Sequence, residues 1–197
     1  MSAGSRRAVH LVRPARHHLP SCLDALDRGW RAEDDVASTS GTTIDDRRAL
    51  VTDPEGFLAA HDNEGGSGMP MTLGERVIVV PLLPSIRRWI WDGEFCGVVG
   101  LRWQPGTESL PPHVTGHIGY AVVPWKRRLG YATEGLRQML VEARRRRLRW
   151  LEIVTSPHNL ASQRVVERNG GRVVEAFVTA GEQGAEPALR WRIDLAV

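Results

Sequence analysis

One segment limits the fold more than any other. The run HIGYAVVPWKRRLGYATEGLRQML, His117 to Leu140, reads as a strand, a compact basic turn and a helix. From Ala132 onward, Leu136, Met139, Leu140 and Ala143 follow at the spacing of one buried helical face. Before the turn, strand alternation sets His117, Gly119 and Ala121 on one face and Ile118 and Tyr120 on the other. The turn between them carries Arg127-x-x-Gly130-x-Ala132.

Gly130 permits a backbone conformation that other residues resist, and a close approach of the backbone to a ligand. The N–H groups of the first helical turn, near Gly130 to Thr133, then face outward at the positive end of the helix dipole. Such an end binds anions. Lys126, Arg127 and Arg128 add positive charge around it. The functional reading is a pyrophosphate cradle; the plainer one is a glycine turn with solvated basic neighbours. No Gly-Lys-Ser/Thr is present, so this is not a Walker loop, and the first glycine of the dinucleotide fingerprint is missing.

The surrounding chain mixes strands and helices. VHLVRP (Val9 to Pro14) reads as a strand. PSCLDALDRGW follows as a helix, with Ser21 as its cap and Gly29 as its stop. Residues 31–52 are polar and poorly patterned, and Asp53-Pro54-Glu55 opens another helix. DNEGGSGMP (Asp62 to Pro70) reads as a flexible loop. SIRRWIWDGEFCGVVGLRW then forms two strands around an Asp92-Gly93 turn. Downstream come the strand WLEIVT, a helix from Asn159 to Asn169 closed by Gly170, and a final hairpin. The order predicts an α/β sandwich of the α+β type: a mixed, largely antiparallel sheet of six to seven strands flanked by helices. Residues 1–7 read as a loose tail and 8–197 as one domain.

A chain of 197 residues supports a core without staples. Cys22 and Cys96 are its two cysteines and do not make a disulfide framework, which favours a reducing compartment. No apolar run is long enough to span a bilayer, and none follows the basic N-terminus as a signal peptide would. A cytoplasmic protein is expected. The net charge of +3 suits an anionic ligand and is too small to argue for nucleic acid. The arginines from Arg144 to Arg147 complement the C-terminal end of the helix they close.

At this point the motif becomes specific. GHIGYAVVPWKRRLGYATEGL resembles the acetyl-CoA motif of the GNAT acetyltransferases. SPHNLASQRVVERNGG resembles their second motif, an Asn-x-x-Ser/Ala before a helix and a glycine pair. The resemblance covers residues 76–195 well and is similar to the ribosomal-protein N-acetyltransferase branch. It implies acetyl-CoA as co-substrate, no metal, and an amine acceptor, small molecule or peptide, in a monomer or homodimer. Backbone groups of Ala121, Val122 and Val123 would pair with the pantetheine arm, on a strand that in the family often carries a bulge. Backbone N–H groups of Arg128, Gly130, Tyr131, Ala132 and Thr133 would hold the pyrophosphate, with Arg127 or Arg128 on the outer phosphate. Asn159 would bond the pantetheine, and Ser162 would lie near the sulfur. The family's usual tyrosine acid falls at Val166, which leaves Ser162 or water to protonate the thiolate.

Amine acetylation needs a neutral amine and hence a proton path. His117 is the first candidate base, because an ordinary imidazole titrates near the working pH; the alternative is a hydrogen-bonded core histidine. Glu108 and Glu182 are loop carboxylates that either approach the acceptor or are merely solvated. Trp89, Trp91 and Trp103 are expected in the core, with one able to line an acceptor pocket. Beside the enzyme stands a second reading, a non-catalytic module that senses acyl-CoA.

Overall fold

The computed structural model describes residues 8–31, 46–66, 69–73, 76–80, 82–112, 114–181 and 184–195. Residues 1–7, Glu182 and the end of the chain lie outside them. The strands are β1 (His10–Val12), β2 (Asp62–Asn63), β3 (Met69–Leu73), β4 (Arg76–Val80), β5 (Ser85–Trp91), β6 (Phe95–Arg102), β7 (Ile118–Val122), β8 (Trp150–Thr155), β9 (Arg172–Gly181) and β10 (Gly184–Asp194). The helices are α1 (Leu19–Asp27), α2 (Asp46–Thr52), α3 (Pro54–Ala59), α4 (Tyr131–Arg145) and α5 (Leu160–Arg168).

The predicted α+β sandwich is present, with its sheet divided. One part runs β1-β5-β6-β7, with β2 paired to β5; the other runs β8-β10-β9; β3 and β4 form a separate hairpin. Every strand pairing among the described residues is antiparallel. β7 and β8 are therefore the facing edges of two sheets, joined in sequence by α4.

Alternation along the strands loads both faces with apolar side chains. Ile86, Ile90, Val99, Leu101, Ile118 and Val122 meet Leu136, Met139, Leu140 and Ala143 of α4 on one face. Trp89, Phe95, Ala121 and Val123 meet Leu19, Cys22, Ala25 and Leu26 of α1 on the other. Burying a side chain of this size contributes roughly 1.5–3 kcal/mol, so the strands' position between two helical layers follows from their pattern.

Several local expectations change. Ser21 does not cap α1. That helix starts three residues earlier, with His18 as N-cap and Pro20 in its first turn. Ser21 Oγ instead accepts the Phe95 N–H at 2.8 Å, tying α1 to β6. The stretch from Asp62 to Pro70 is not wholly loop: Asp62 and Asn63 pair with β5, and Met69 and Pro70 begin β3. Residues 46–52 form α2, which the sequence does not advertise because Leu50 is its one deeply buried apolar side chain. The helix start expected at Asp53-Pro54-Glu55 is present, with Pro54 first in α3 and the Asp53 carboxylate capping it by accepting the Gly56 N–H.

Candidate active site

The turn after β7 has the geometry of an anion site. Gly130 is the N-cap of α4 with φ +87°, and no side chain caps the helix. Arg128 also has positive φ, at 61°, a conformation that costs a non-glycine residue of order 1 kcal/mol or more and is concentrated at functional sites. The first intrahelical bond runs from Glu134 N–H to Gly130 O at 3.0 Å. The N–H groups of Tyr131, Ala132 and Thr133 precede that ladder and have no acceptor among the described residues. A Cβ added at Gly130 would meet nothing within 4 Å, so the space above this helix end is open.

The basic residues around the turn do not act alike. Arg127 folds back, its Nε donating to Val122 O at 3.1 Å. Arg128 is exposed. Lys126, expected to add free positive charge, is instead ion-paired with Asp92 and Glu94.

Beyond β7 the two sheets separate. At the base of the gap the His117 N–H donates to Glu152 O at 2.7 Å. Gly116 lies so close to β8 that a Cβ there would sit 3.3 Å from Glu152 O and from Val154 N. Past this point no strand pairs with the second edge of β7 among the described residues. β7 holds an unbroken register with β6 from Ile118 to Val122. The expected bulge is absent there. The irregularity lies one strand away, where Ile90 pairs with Gly97 and Trp91 with Phe95, so that Cys96 is the extra residue.

His117 is 1% exposed. Its Nδ1 accepts the Glu152 N–H at 2.9 Å, and its Nε2–H donates to Glu108 O at 2.9 Å. Burial lowers its pKa to about 4, against the opposing pull of the Glu108 carbonyl and the Glu152 carboxylate. The imidazole is therefore neutral, with both nitrogens engaged. The Glu108 carboxylate is gripped by the Arg149 guanidinium at 2.7 and 3.1 Å and held down to about 2 by it. The structure thus brings His117 and Glu108 together, at the closed end of the gap.

Ser162 lies elsewhere, in the first turn of α5. Asn159 caps that helix, its Oδ1 accepting the Ser162 N–H at 3.0 Å. Ser162 Oγ is 2.7 Å from the hydroxyl of Tyr120, which also donates to Ser162 O at 3.2 Å. Burial pushes the Tyr120 phenol up to about 12, partly offset by its bond to Ser162. Strand alternation set Tyr120 with Ile118 on the face of β7 opposite His117 but gave it no function; no spacing rule links it to a serine 42 residues away. Val166 is fully buried in the core. Trp89 is likewise core, its Nε1–H donating to His61 Nε2 at 3.0 Å, while Trp103 lies under the Arg146 guanidinium at 4.6 Å. Among the described residues no group of three or more His, Cys, Asp or Glu is arranged to hold a metal, and no helix is long and apolar enough to cross a membrane.

Comparison with known proteins places this geometry in a known fold. A family model described as an acetyltransferase (GNAT) domain matches residues 23–172. No curated protein sequence matches. Among solved structures, the microcin C7 self-immunity acetyltransferase MccE, in complex with acetyl-CoA and AMP, is 13% identical with a TM-score of 0.62 over 94% of this chain and 92% of that one. The ribosomal L7/L12 alpha-N-protein acetyltransferase RimL, in complex with coenzyme A, is 15% identical with a TM-score of 0.60 over 95% and 94%. The yncA protein of Salmonella typhimurium, with its cofactor acetyl-CoA, is 14% identical with a TM-score of 0.57 over 96% and 95%. At such identities the likeness is one of fold.

Proposed function

The chain belongs to the GNAT acetyltransferase family, and from that premise we propose that it transfers the acetyl group of acetyl-CoA to an amine, directly, with both substrates bound together. The observation that carries this reading is the bare N-terminus of α4 set beside the unpaired edge of β7. The N–H groups from Arg128 to Thr133 supply donors for a pyrophosphate. The edge at Ala121, Val122 and Val123 offers backbone groups to an extended arm, as a sheet edge does to a peptide. Arg128 is the cation for the outer phosphate, since Arg127, though also exposed, bonds Val122 O. Asn159 uses its oxygen as a helix cap, which leaves its amide N–H groups for a carbonyl on the arm.

Acetyl-CoA supplies the thioester carbonyl that the amine attacks; the protein's part is to hold and orient. Ser162 and Tyr120 form a hydroxyl pair where β7 faces α5. A thiol of pKa about 8.5 is too weak a base, as thiolate, to take a proton from a phenol held near 12. The pair therefore acts by hydrogen bonding to the departing sulfur, with Ser162 as donor and Tyr120 orienting it. His117, with both nitrogens bound to backbone, is assigned the role of closing the base of the gap, and Glu108 that of fixing His117 and Arg149. The amine then loses its proton to water or to an acceptor-side group.

The test is a panel of amines and peptide N-termini, read by thiol release from acetyl-CoA and by mass spectrometry of the product. Thiol release with an acetylated amine supports the proposal. Tight acetyl-CoA binding with no turnover across the panel favours the sensing module instead, a reading that Val166 in place of the tyrosine keeps open.

A further inference from the structure

The hairpin turn between β5 and β6 lies far in sequence from the basic turn, yet its first residue reaches into it. Asp92 is 7% exposed. Its Oδ2 accepts both the Lys126 ammonium at 2.8 Å and the Tyr131 hydroxyl at 2.6 Å. These two residues bracket the turn: Lys126 ends the short 3-10 segment after β7, and Tyr131 is the first residue of α4. Between them lie Arg128 and Gly130, the two positions with left-handed φ. Lys126 is further held by Glu94, and the Asp92 backbone is fixed by the hairpin, with its Oδ1 accepting the Glu94 N–H at 3.3 Å.

We propose that Asp92 is a positioning residue for cofactor binding: it clamps both ends of the Arg127–Gly130 turn so that the N–H groups at the start of α4 converge on one anion. This rests on the acetyl-CoA reading above. The turn needs such a clamp on physical grounds. A loop with two left-handed residues is held in a sparsely populated conformation, which persists only where its surroundings over-determine it. The helix end has no side-chain cap. A turn free to relax would bind the pyrophosphate only from the fraction of molecules already shaped for it, and affinity would fall by that fraction. Burial alone would favour the neutral acid, but the bonds from Lys126 and Tyr131 outweigh it and hold Asp92 ionised at about 2. The clamp therefore stays closed across the physiological pH range. It also fixes the role of Lys126, whose charge is spent on the clamp and not on the ligand.

The experiment compares two thioesters. Acetyl-CoA carries the pyrophosphate; S-acetylpantetheine carries the same reactive arm without it. Dissociation constants for both are measured on the wild type, on Asp92→Asn and on Tyr131→Phe, the milder change that removes one bond and keeps the ring. The expected result is about a tenfold loss of acetyl-CoA affinity, the size of one charge-assisted hydrogen bond, with acetylpantetheine affinity unchanged. Equal losses for both thioesters, or no loss for either, would overturn the clamp. A wild type that binds neither would overturn the acetyl-CoA reading and the clamp with it.

Discussion

The His117 imidazole accepts the Glu152 N–H through Nδ1 at 2.9 Å, while the His117 backbone N–H donates to Glu152 O at 2.7 Å. Side chain and main chain of one residue thus make two bonds to one residue of β8, just where the sheets part. A strand pair is ended here by a side chain that takes the place of a ladder bond. Replacing His117 by Ala would strand a buried N–H and the Glu108 carbonyl and leave a cavity, at a cost of about 2–4 kcal/mol. His117→Gln, able to keep part of the pairing, should cost less. Chemical denaturation of both variants checks the order. In the same enzyme, kcat/KM should show no limb near pH 6.5 attributable to this residue, because its pKa is held near 4.

Stability itself should depend on pH through buried histidines, His61 and His117 foremost and His18 in the same direction. His61, whose Nδ1–H donates to Phe57 O and whose Nε2 accepts from Trp89, is also lowered to about 4 by burial. A lowered pKa means that the unfolded chain takes up the proton first. Stability is therefore complete above about 6.5 and falls as pH drops toward 4, by up to on the order of 3 kcal/mol for each of His61 and His117. Asp92 and Glu108, held near 2, lose their contributions as pH falls below their ordinary values of about 4, so they add to the decline only at the foot of that window and below it. Urea midpoints between pH 7 and 4 test this, and His61→Gln and His117→Gln should each flatten the decline. A midpoint independent of pH over that range would contradict the burial of neutral imidazoles.

Ser162→Ala should lower kcat by about tenfold, the worth of one hydrogen bond to a charged sulfur, while leaving the dissociation constant of acetyl-CoA nearly unchanged. Tyr120→Phe should lower kcat less, since Ser162 keeps its own donor. If Ser162→Ala turns over at the wild-type rate, water protonates the thiolate and the hydroxyl pair is only a strut between β7 and α5.

Asn159→Ala removes a helix cap and, in this account, a contact to the pantetheine arm. Loss of the cap costs about 1 kcal/mol of stability. The KM for acetyl-CoA should rise as well, whereas Asn159→Asp, which keeps the cap, should restore stability but not KM. Matching recovery of both would show that Asn159 serves the helix alone.

How much of this was legible beforehand depended on whether the cause was local. The α4 face is written in Leu136, Met139, Leu140 and Ala143, and those four are buried as spaced. Gly130 announced its left-handed turn, and the start of α5 was read at Asn159, which proves to be its cap. Three features were not legible because their partners are distant in sequence. Lys126 looked like a free cation until Asp92 came within 2.8 Å. Tyr120 had only a strand face and no role until Ser162 met it. His117 left two roles open, and what favours one of them is Glu152 and Glu108 taking both ring nitrogens.

The central claim, that acetyl-CoA seats on the turn at the start of α4, is tested most directly by ligand-induced stabilisation of the wild type and Gly130→Val. Valine is poorly suited to the φ of +87° and would put bulk into space that is open in the free protein. At a ligand concentration of about 100 times the dissociation constant, the wild type should gain roughly 2.7 kcal/mol. The account predicts that gain for the wild type and none for Gly130→Val at the same concentration. The same gain in both proteins would place the cofactor elsewhere and contradict it.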